Sequence, residues 1–523
     1  MQFSTRPPQS NSVTRFSRWL RWRPLRWGLA GLAAFVPLLG LFYAEENWRG
    51  RRAWAAYQRV LQAKGVEFNW HALAPPPVAD GNNFAMTPFF AALFDYAPGT
   101  HTPRDMTAYN RTAGFAQTGA PYAEQRGGDP VPAMFERRRT DLAGGLQLFT
   151  KARPNTPSDA RPDKGDRTMA AAAALEELAK FNPVLDELRA ASRRPQARFN
   201  FSYNEESTWR MTQPHLPVLK RVSTVLTLRA SAELASRDAS AAADDVHLII
   251  TLANSVRDEP FLGSQRARHA MLGNARQIIW EGLADHRWSD RQLSDFQLRL
   301  QELSFISDVQ KPLRLDQASG NDLFGQLHRN PAMVKSWRFG PGIWNGVFPY
   351  FLWLMPSGWM YREQVSYHRS FEEQLLPALD TEAARIRPSL INQAGHGSSQ
   401  FWNHRLLSDI LLQSLVSPLT GAALAQTENN QTVPACALER YRLANGQFPE
   451  ALDALNPQYL ATIPPDLTAG QPMKYRRRDD GRFQLYSIGW NEKDDGGKVV
   501  MNKGGKAADV TQGDWVWPQY PEE

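Results

Sequence analysis

The chain has 523 residues, 42% of them apolar, which is enough for roughly two or three cored domains and excludes wholesale disorder. Its net charge is +7, yet Arg6, Arg15, Arg18, Arg21, Arg23 and Arg26 stand without an acid ahead of Trp27, so the remainder is nearly neutral. That balance argues against a large phosphate-binding surface and against nucleic acid as a partner.

After this basic arm (1–26) comes "WGLAGLAAFVPLLGLFYA", Trp27 to Ala44, a stretch without a charge. At about 1.5 Å per residue it spans roughly 27 Å as a helix, close to one hydrocarbon core. Trp19, Trp22 and Trp27 suit the interface, and the arginines all precede the span. The predicted arrangement is a single pass through the inner (cytoplasmic) membrane, with the amino terminus cytoplasmic and the bulk periplasmic. A cleaved signal peptide fits the same pattern, but Phe42 stands at −3 before the obvious cut after Ala44, where a small residue is needed. An uncleaved anchor is therefore expected. Trp54, Tyr57, Val60 and Leu61 continue the helical period to a stop at Gly65, so segment 27–65 reads as one rod leaving the bilayer.

Segment 66–200 alternates short apolar pieces with "APPPVADGNN" and "RPNTPSDARPDKGDR", compositions that read as linker or surface loop. One helical island, "TMAAAAALEELAKF", follows. Segment 201–399 is different. Leu219, Val222 and Leu226, then Val246, Ile249, Ile250 and Ala253, then Phe296, Leu300 and Leu303 recur at helical spacing, and Ser289 with Gln292 forms a capping-box signature. Successive amphipathic helices predict a helical-hairpin stack, loosely like tetratricopeptide arrays, as a scaffold domain. Trp344, Phe348, Tyr350, Phe351, Trp353 and Trp359 crowd one stretch, for which core is the leading assignment, ahead of a partner groove or a membrane-surface patch.

The last segment, 400–523, carries ordered motifs. A helix through Val433, Ala437 and Tyr441 ends at Asn445-Gly446, a short helix is expected after Pro449, and two strands flank an Asp480-Gly481 turn. The lone cysteine, Cys436, lies in "VPACALERY" and reads as a small buried hydrophobe. Through "ALERYRLANGQFPEALDAL", "PPD", "PMKYRRRDDGRFQLYSIG", "DDGG" and "ADVTQGDWVW", this segment resembles the globular domain of the major pseudopilin of type II secretion systems. The resemblance covers about one-fifth of the chain and implies a small α+β domain. Leu467 and Thr468 replace the family's usual proline and tryptophan, and the leader glycine and helix glutamate of pseudopilins are not found around the anchor, so assembly as a pilin is not expected. In such domains the loop after the hairpin binds calcium. Carried over by position, the ligands are the Ile488 carbonyl, Asn491 in place of an aspartate, Asp494, Asp495 and Asp509. The residues alone leave a solvated acidic turn as the equal alternative.

No phosphate loop, dinucleotide fingerprint, HExxH or paired cysteine occurs, and "GHGSS" lacks the nucleophile-elbow pattern. The expectation is a mainly α, non-enzymatic envelope protein that binds other envelope proteins, linked to a secretion or pilus-like system, with no small-molecule substrate. The alternative is an anchored hydrolase of an envelope polymer, which would show a polar cleft with converging acids.

Overall fold

The computed structural model describes all residues except 1–11, 101, 118–137, 148–166, 201–202, 204–210, 331–332, 334–349, 396–403, 505–507 and 519–523, and except the side chains of 12–26, 117 and 147. The protein is mainly helical, 64% helix and 7% strand. Its principal helices are α1 (Ser12–Ala63), α2 (Asn182–Ala191), α3 (His215–Ala235), α4 (Ala239–Asn254), α5 (Leu262–Ala284), α6 (Asp290–Gln301), α7 (Ser357–Ser370) and α8 (Leu406–Asn445). Its strands are β1 (Leu379–Asp380), β2 (Arg385–Ile386), β3 (Lys474–Arg477), β4 (Phe483–Ser487), β5 (Val499–Met501), β6 (Ala508–Gly513) and β7 (Trp515–Val516). Contacts gather the chain into two units: Met1–Val66, Leu323–Tyr367 and Ser399–Ser408 form one, and Glu67–Asp322, His368–Ser398 and Asp409–Glu523 the other.

In the first unit α1 is an unbroken 52-residue helix, the rod expected from its sequence. Gly65 closes it at a positive φ of 75°, donating its N–H to the Gln62 carbonyl at 2.9 Å, a conformation that costs glycine no Cβ clash. Two described helices are long and apolar enough to cross a membrane: the apolar stretch of α1, none of it buried, and α8, half buried. Beyond that stretch α1 meets α7 at two glycines. A Cβ on Gly50 would strike the Gly358 carbonyl, and one on Gly358 the Glu46 carbonyl, so only glycine allows this backbone approach. Asn47 Oδ1 accepts from the Gly358 N–H at 2.8 Å, Glu46 Oε2 accepts from Trp359 Nε1 at 2.8 Å, and the Tyr43 hydroxyl donates to the Leu354 carbonyl.

The aromatic stretch differs from its core assignment. Tyr350 and Trp353 are exposed, Phe351 and Trp359 are half-buried, and Trp344 and Phe348 lie outside the described residues. The turn of helix over 350–354 is held against the end of the apolar run by a tyrosine hydroxyl, which turns its own rings outward.

The second unit is built on α3–α6, joined by short turns. At the end of α3, Arg237 takes a positive φ, Asp238 N donates back to the Glu233 carbonyl at 2.8 Å, and the Asp238 carboxylate caps α4 by accepting from Ala241 N. The Ser289–Gln292 capping box forms as the sequence predicts and starts α6. The apolar residues read from the periodicity, from Leu219 to Leu303, are all buried. The proline-rich region contributes to the same core through Phe84, Phe89, Phe90, Leu93 and Phe115.

One core also takes in the carboxy-terminal part, because α8 passes through it with a buried polar run, Gln426 to Thr432. Five of its seven side chains each reach a different neighbour outside the helix. Gln426 Oε1 accepts from Phe305 N (2.8 Å), Asn429 donates to the Leu300 carbonyl (2.9 Å), Asn430 to that of Pro465 (3.1 Å), and Gln431 to that of Trp515 in β7 (2.6 Å). Glu428 takes the buried Arg276 guanidinium of α5. Cys436, one turn further, is fully buried among apolar residues, and burial pushes its thiol up and out of reactive range.

The Phe305 N–H has Gln426 as its partner in a fully buried position. Replacing Gln426 by Met keeps the volume and removes the acceptor, at a cost of about 1–3 kcal/mol. Far-UV circular dichroism and tryptophan fluorescence should both report the lower melting point as one shared transition; an unchanged midpoint would show that the polar run does not hold this core.

Candidate functional site

The expected hairpin is present: β3 and β4 pair antiparallel from Lys474↔Tyr486 to Arg477↔Phe483, and Gly481 turns them at a φ of 77°. β7 adds to the other edge of β4, while β5 and β6 form their own ribbon. α8 ends as predicted, with Gly446 left-handed and its N–H on the Arg442 carbonyl at 2.7 Å. The helix expected after Pro449 is only a 3₁₀ turn, Leu452–Leu455, because the proline-bounded segment is too short for successive α-helical hydrogen bonds.

The proline pair before Asp466 leads into a buried knot. Asp466 Oδ1 accepts from Thr468 N, Thr468 Oγ1 and Ser487 Oγ, each at 2.9 Å, and Oδ2 from Ile488 N at 2.9 Å. The backbone of Ile488, the first expected calcium ligand, is thus fixed at the exit of β4. Next in the loop, Asn491 donates its amide to Asp495 Oδ2 at 2.9 Å, and Asp494 Oδ1 accepts from Gly496 N at 3.0 Å and the Tyr486 hydroxyl at 3.2 Å. The Gly496 N–H, then Lys474 with its ammonium 3.3 Å away, hold the Asp494 carboxyl below the usual range. Asp509 instead closes a local turn, accepting from Thr511 N and Oγ1 at 2.9 and 2.7 Å.

The residue that organises the loop is one the sequence did not single out. Asp514, nearly buried, accepts from the backbone N–H of Asp495, Gly497 and Lys498 at 3.2, 2.6 and 3.3 Å. Its signal was an acid wedged between Gly513, at a φ of 71°, and the buried Trp515. Among the described residues no group of three or more His, Cys, Asp or Glu side chains gathers as a metal site. A calcium ion here would compete with the Lys474 ammonium and the Asn491 amide for the same carboxylates.

A polar cleft of about 810 Å³ lies along α4 and α6, lined among others by Asp244, His247, Asp290 and Asp295. Two of its acids are already engaged. Asp290 accepts from Arg440 Nε at 2.8 Å, and Asp295 lies 2.6 Å from His247 Nε2 and 3.1 Å from Arg299 Nε. Burial and then Arg299 hold the His247 imidazole below its ordinary value. Deeper in the stack, Glu281 accepts from Thr140 N and Oγ1, Ser231 Oγ, Gln277 and Arg167, so every lone pair is occupied. Glu439 is matched in the same way: burial alone would raise its carboxyl, but Arg442 and His286 outweigh it and hold the group low.

The Glu233–Asp245 pair between α3 and α4 is balanced differently. Arg229 Nε lies 2.9 Å from Glu233 and 3.3 Å from Asp245, and Arg189 of α2 also meets Asp245. Burial, and for Glu233 also the neighbouring Asp245, pushes both carboxyls up despite these partners.

No protein-family model, curated protein or solved structure matches this chain. Its chemistry must be read from the geometry, in which most buried charges are matched in closed pairs, as structural charges are.

The raised Glu233–Asp245 pair has a pH signature. Carboxyls whose folded pKa exceeds the unfolded value stabilise below the unfolded pKa and lose that contribution as pH rises through the folded value. Glu233→Gln should therefore raise the melting point of the protein by a few degrees at pH 8, and the gain should shrink towards pH 5. No difference at pH 8 would mean that Arg229 keeps the carboxylate stably ionised.

Proposed function

We propose that the protein is a single-pass scaffold of a cell envelope, held in the inner membrane by α1 with its amino terminus in the cytoplasm and its bulk in the periplasm. The observation that carries this reading is the charge-free stretch of α1, none of which is buried. Exposing so much apolar surface to water would be costly, whereas in a bilayer it is satisfied. The six arginines before it supply the orientation. The stacked α3–α6 helices, loosely tetratricopeptide-like, and the pseudopilin-like hairpin module provide the surface that binds other envelope proteins, within a secretion or pilus-like system. The largely closed charge pairs support a binding role over catalysis.

Reporter fusions at about residue 200 should be active with a periplasmic reporter and silent with a cytoplasmic one, and sequencing of the mature protein should not begin near Glu45. Photo-cross-linkers placed at the exposed Leu298 and Leu443 should trap a discrete, reproducible envelope protein. The polar cleft beside Asp244 favours the hydrolase alternative; soluble fragments released from envelope polymer by the purified chain, and lost in Asp244→Asn, would replace the scaffold reading.

The loop after β4 belongs to the same proposal as a structural calcium site. Supporting it are Asp494, Asp495 and Asn491 within five residues, and the left-handed Gly489, Gly496 and Gly497, whose positive φ gives the loop the sharp turns a calcium cage needs. Because the module shares the helical core, the full chain is the object to melt. At a hundredfold excess over Kd, calcium should stabilise it by about 2.7 kcal/mol. Asp495→Ala should remove the shift, Asn491→Asp should enlarge it, and magnesium should substitute poorly. A melting point indifferent to calcium reduces "NEKDDGG" to a turn.

A further inference from the structure

The α1–α7 crossing opens a groove of about 700 Å³, well above the roughly 300 Å³ at which small-ligand sites begin. α1 lines it with Trp48, Arg49, Arg52, Ala53 and Ala56, one face at helical spacing, and α7 with Arg362, Val365 and Ser366; His404 completes it. No lining residue is acidic.

The surrounding charges leave a cationic excess. Glu46, behind the groove, is shared between Arg49 at 3.5 Å and Arg362 at 3.5 Å. Glu45 on the rim lies 3.7 Å from Arg49. Arg362 also donates to His404 Nε2 at 2.8 Å, so that nitrogen is an acceptor and the ring is neutral. Arg52 rests over the Trp48 ring, 5.3 Å from its centroid, and among the described residues has no carboxylate partner. Its guanidinium presents a planar fork of donors that suits a phosphate.

Position narrows the ligand. Arg49 and Arg52 lie five and eight residues past Ala44, roughly 7–12 Å beyond the apolar stretch, which is head-group depth. Leu38 and Leu41 occupy the same helical face about two to three turns below Trp48 and are exposed, a track for acyl chains. Tyr350 and Trp353, held beside the end of the apolar run, are exposed where interfacial aromatics reside.

We propose that this groove binds the phosphate-bearing head group of an anionic membrane lipid, with Arg52 as its principal contact and Arg362 and Arg49 completing the cationic wall. The assignment rests on α1 being a membrane anchor.

The full chain, purified in neutral detergent, is melted against added phosphatidylglycerol, phosphatidylcholine or inorganic phosphate. Phosphatidylglycerol should raise the melting point saturably, phosphatidylcholine should not, and inorganic phosphate should need at least tenfold higher concentration. Arg52→Gln should weaken the phosphatidylglycerol response about tenfold, while Arg59→Gln, two turns on, leaves it unchanged. An equal response to phosphatidylcholine, or an unaltered response in Arg52→Gln, overturns the site. Equal potency of inorganic phosphate overturns the lipid as its source. Failure of the anchor reading is separate, appearing as a mature chain that begins near Glu45 and leaves the membrane in carbonate washes.

Discussion

The larger unit depends on a stretch of helix that breaks the usual rule for helix interiors in a core. Seven consecutive residues of α8, Gln426 to Thr432, are polar and buried, and each unpaired group there would cost more than an ordinary hydrogen bond returns. Much of that cost is offset because Phe305, Leu300, Pro465, Trp515 and Arg276 arrive at the right places. Apolar contacts alone would accept many registers between α8 and its neighbours. This set accepts one, and so fixes the α3–α6 stack and the β3–β4–β7 sheet with respect to a common helix.

The smaller unit relies on the opposite device, the absence of side chains. Gly50 and Gly358 bring two backbones together so closely that the partners of Glu46 and Asn47 lie within hydrogen-bond reach. The same closeness spreads the flanking arginines into a wall around a groove, so the steric feature and the electrostatic one have a single origin.

Much of the architecture was legible in the sequence. The charge-free run, the 3.6-residue period of α3–α6, the Ser289 cap and the Asp480-Gly481 turn are local signals, and local signals survive without knowledge of the fold. What was not legible is long-range. Nothing in "QTENNQT" announces partners that lie 35 to 152 residues away. Asp514 escaped attention because its three N–H donors come from the far end of the loop, while Asp509 attracted attention by position and closes only its own turn. The exposed Trp353 shows the same limit from the other side: its surroundings, and not its hydropathy, decide whether it is core.

The hydrogen bond from Trp280 Nε1 to the Pro518 carbonyl, 3.1 Å long and 238 residues apart in the chain, sets an order of events in biosynthesis. When α5 emerges, neither the strand end that will satisfy its indole nor the helix that will cover its flank has been made. The stack must therefore wait, with its apolar faces open, while more than two hundred further residues are synthesised. Folding of this unit is completed only once the last strand has been made, at high contact order, and the nascent chain is a natural client for holding chaperones.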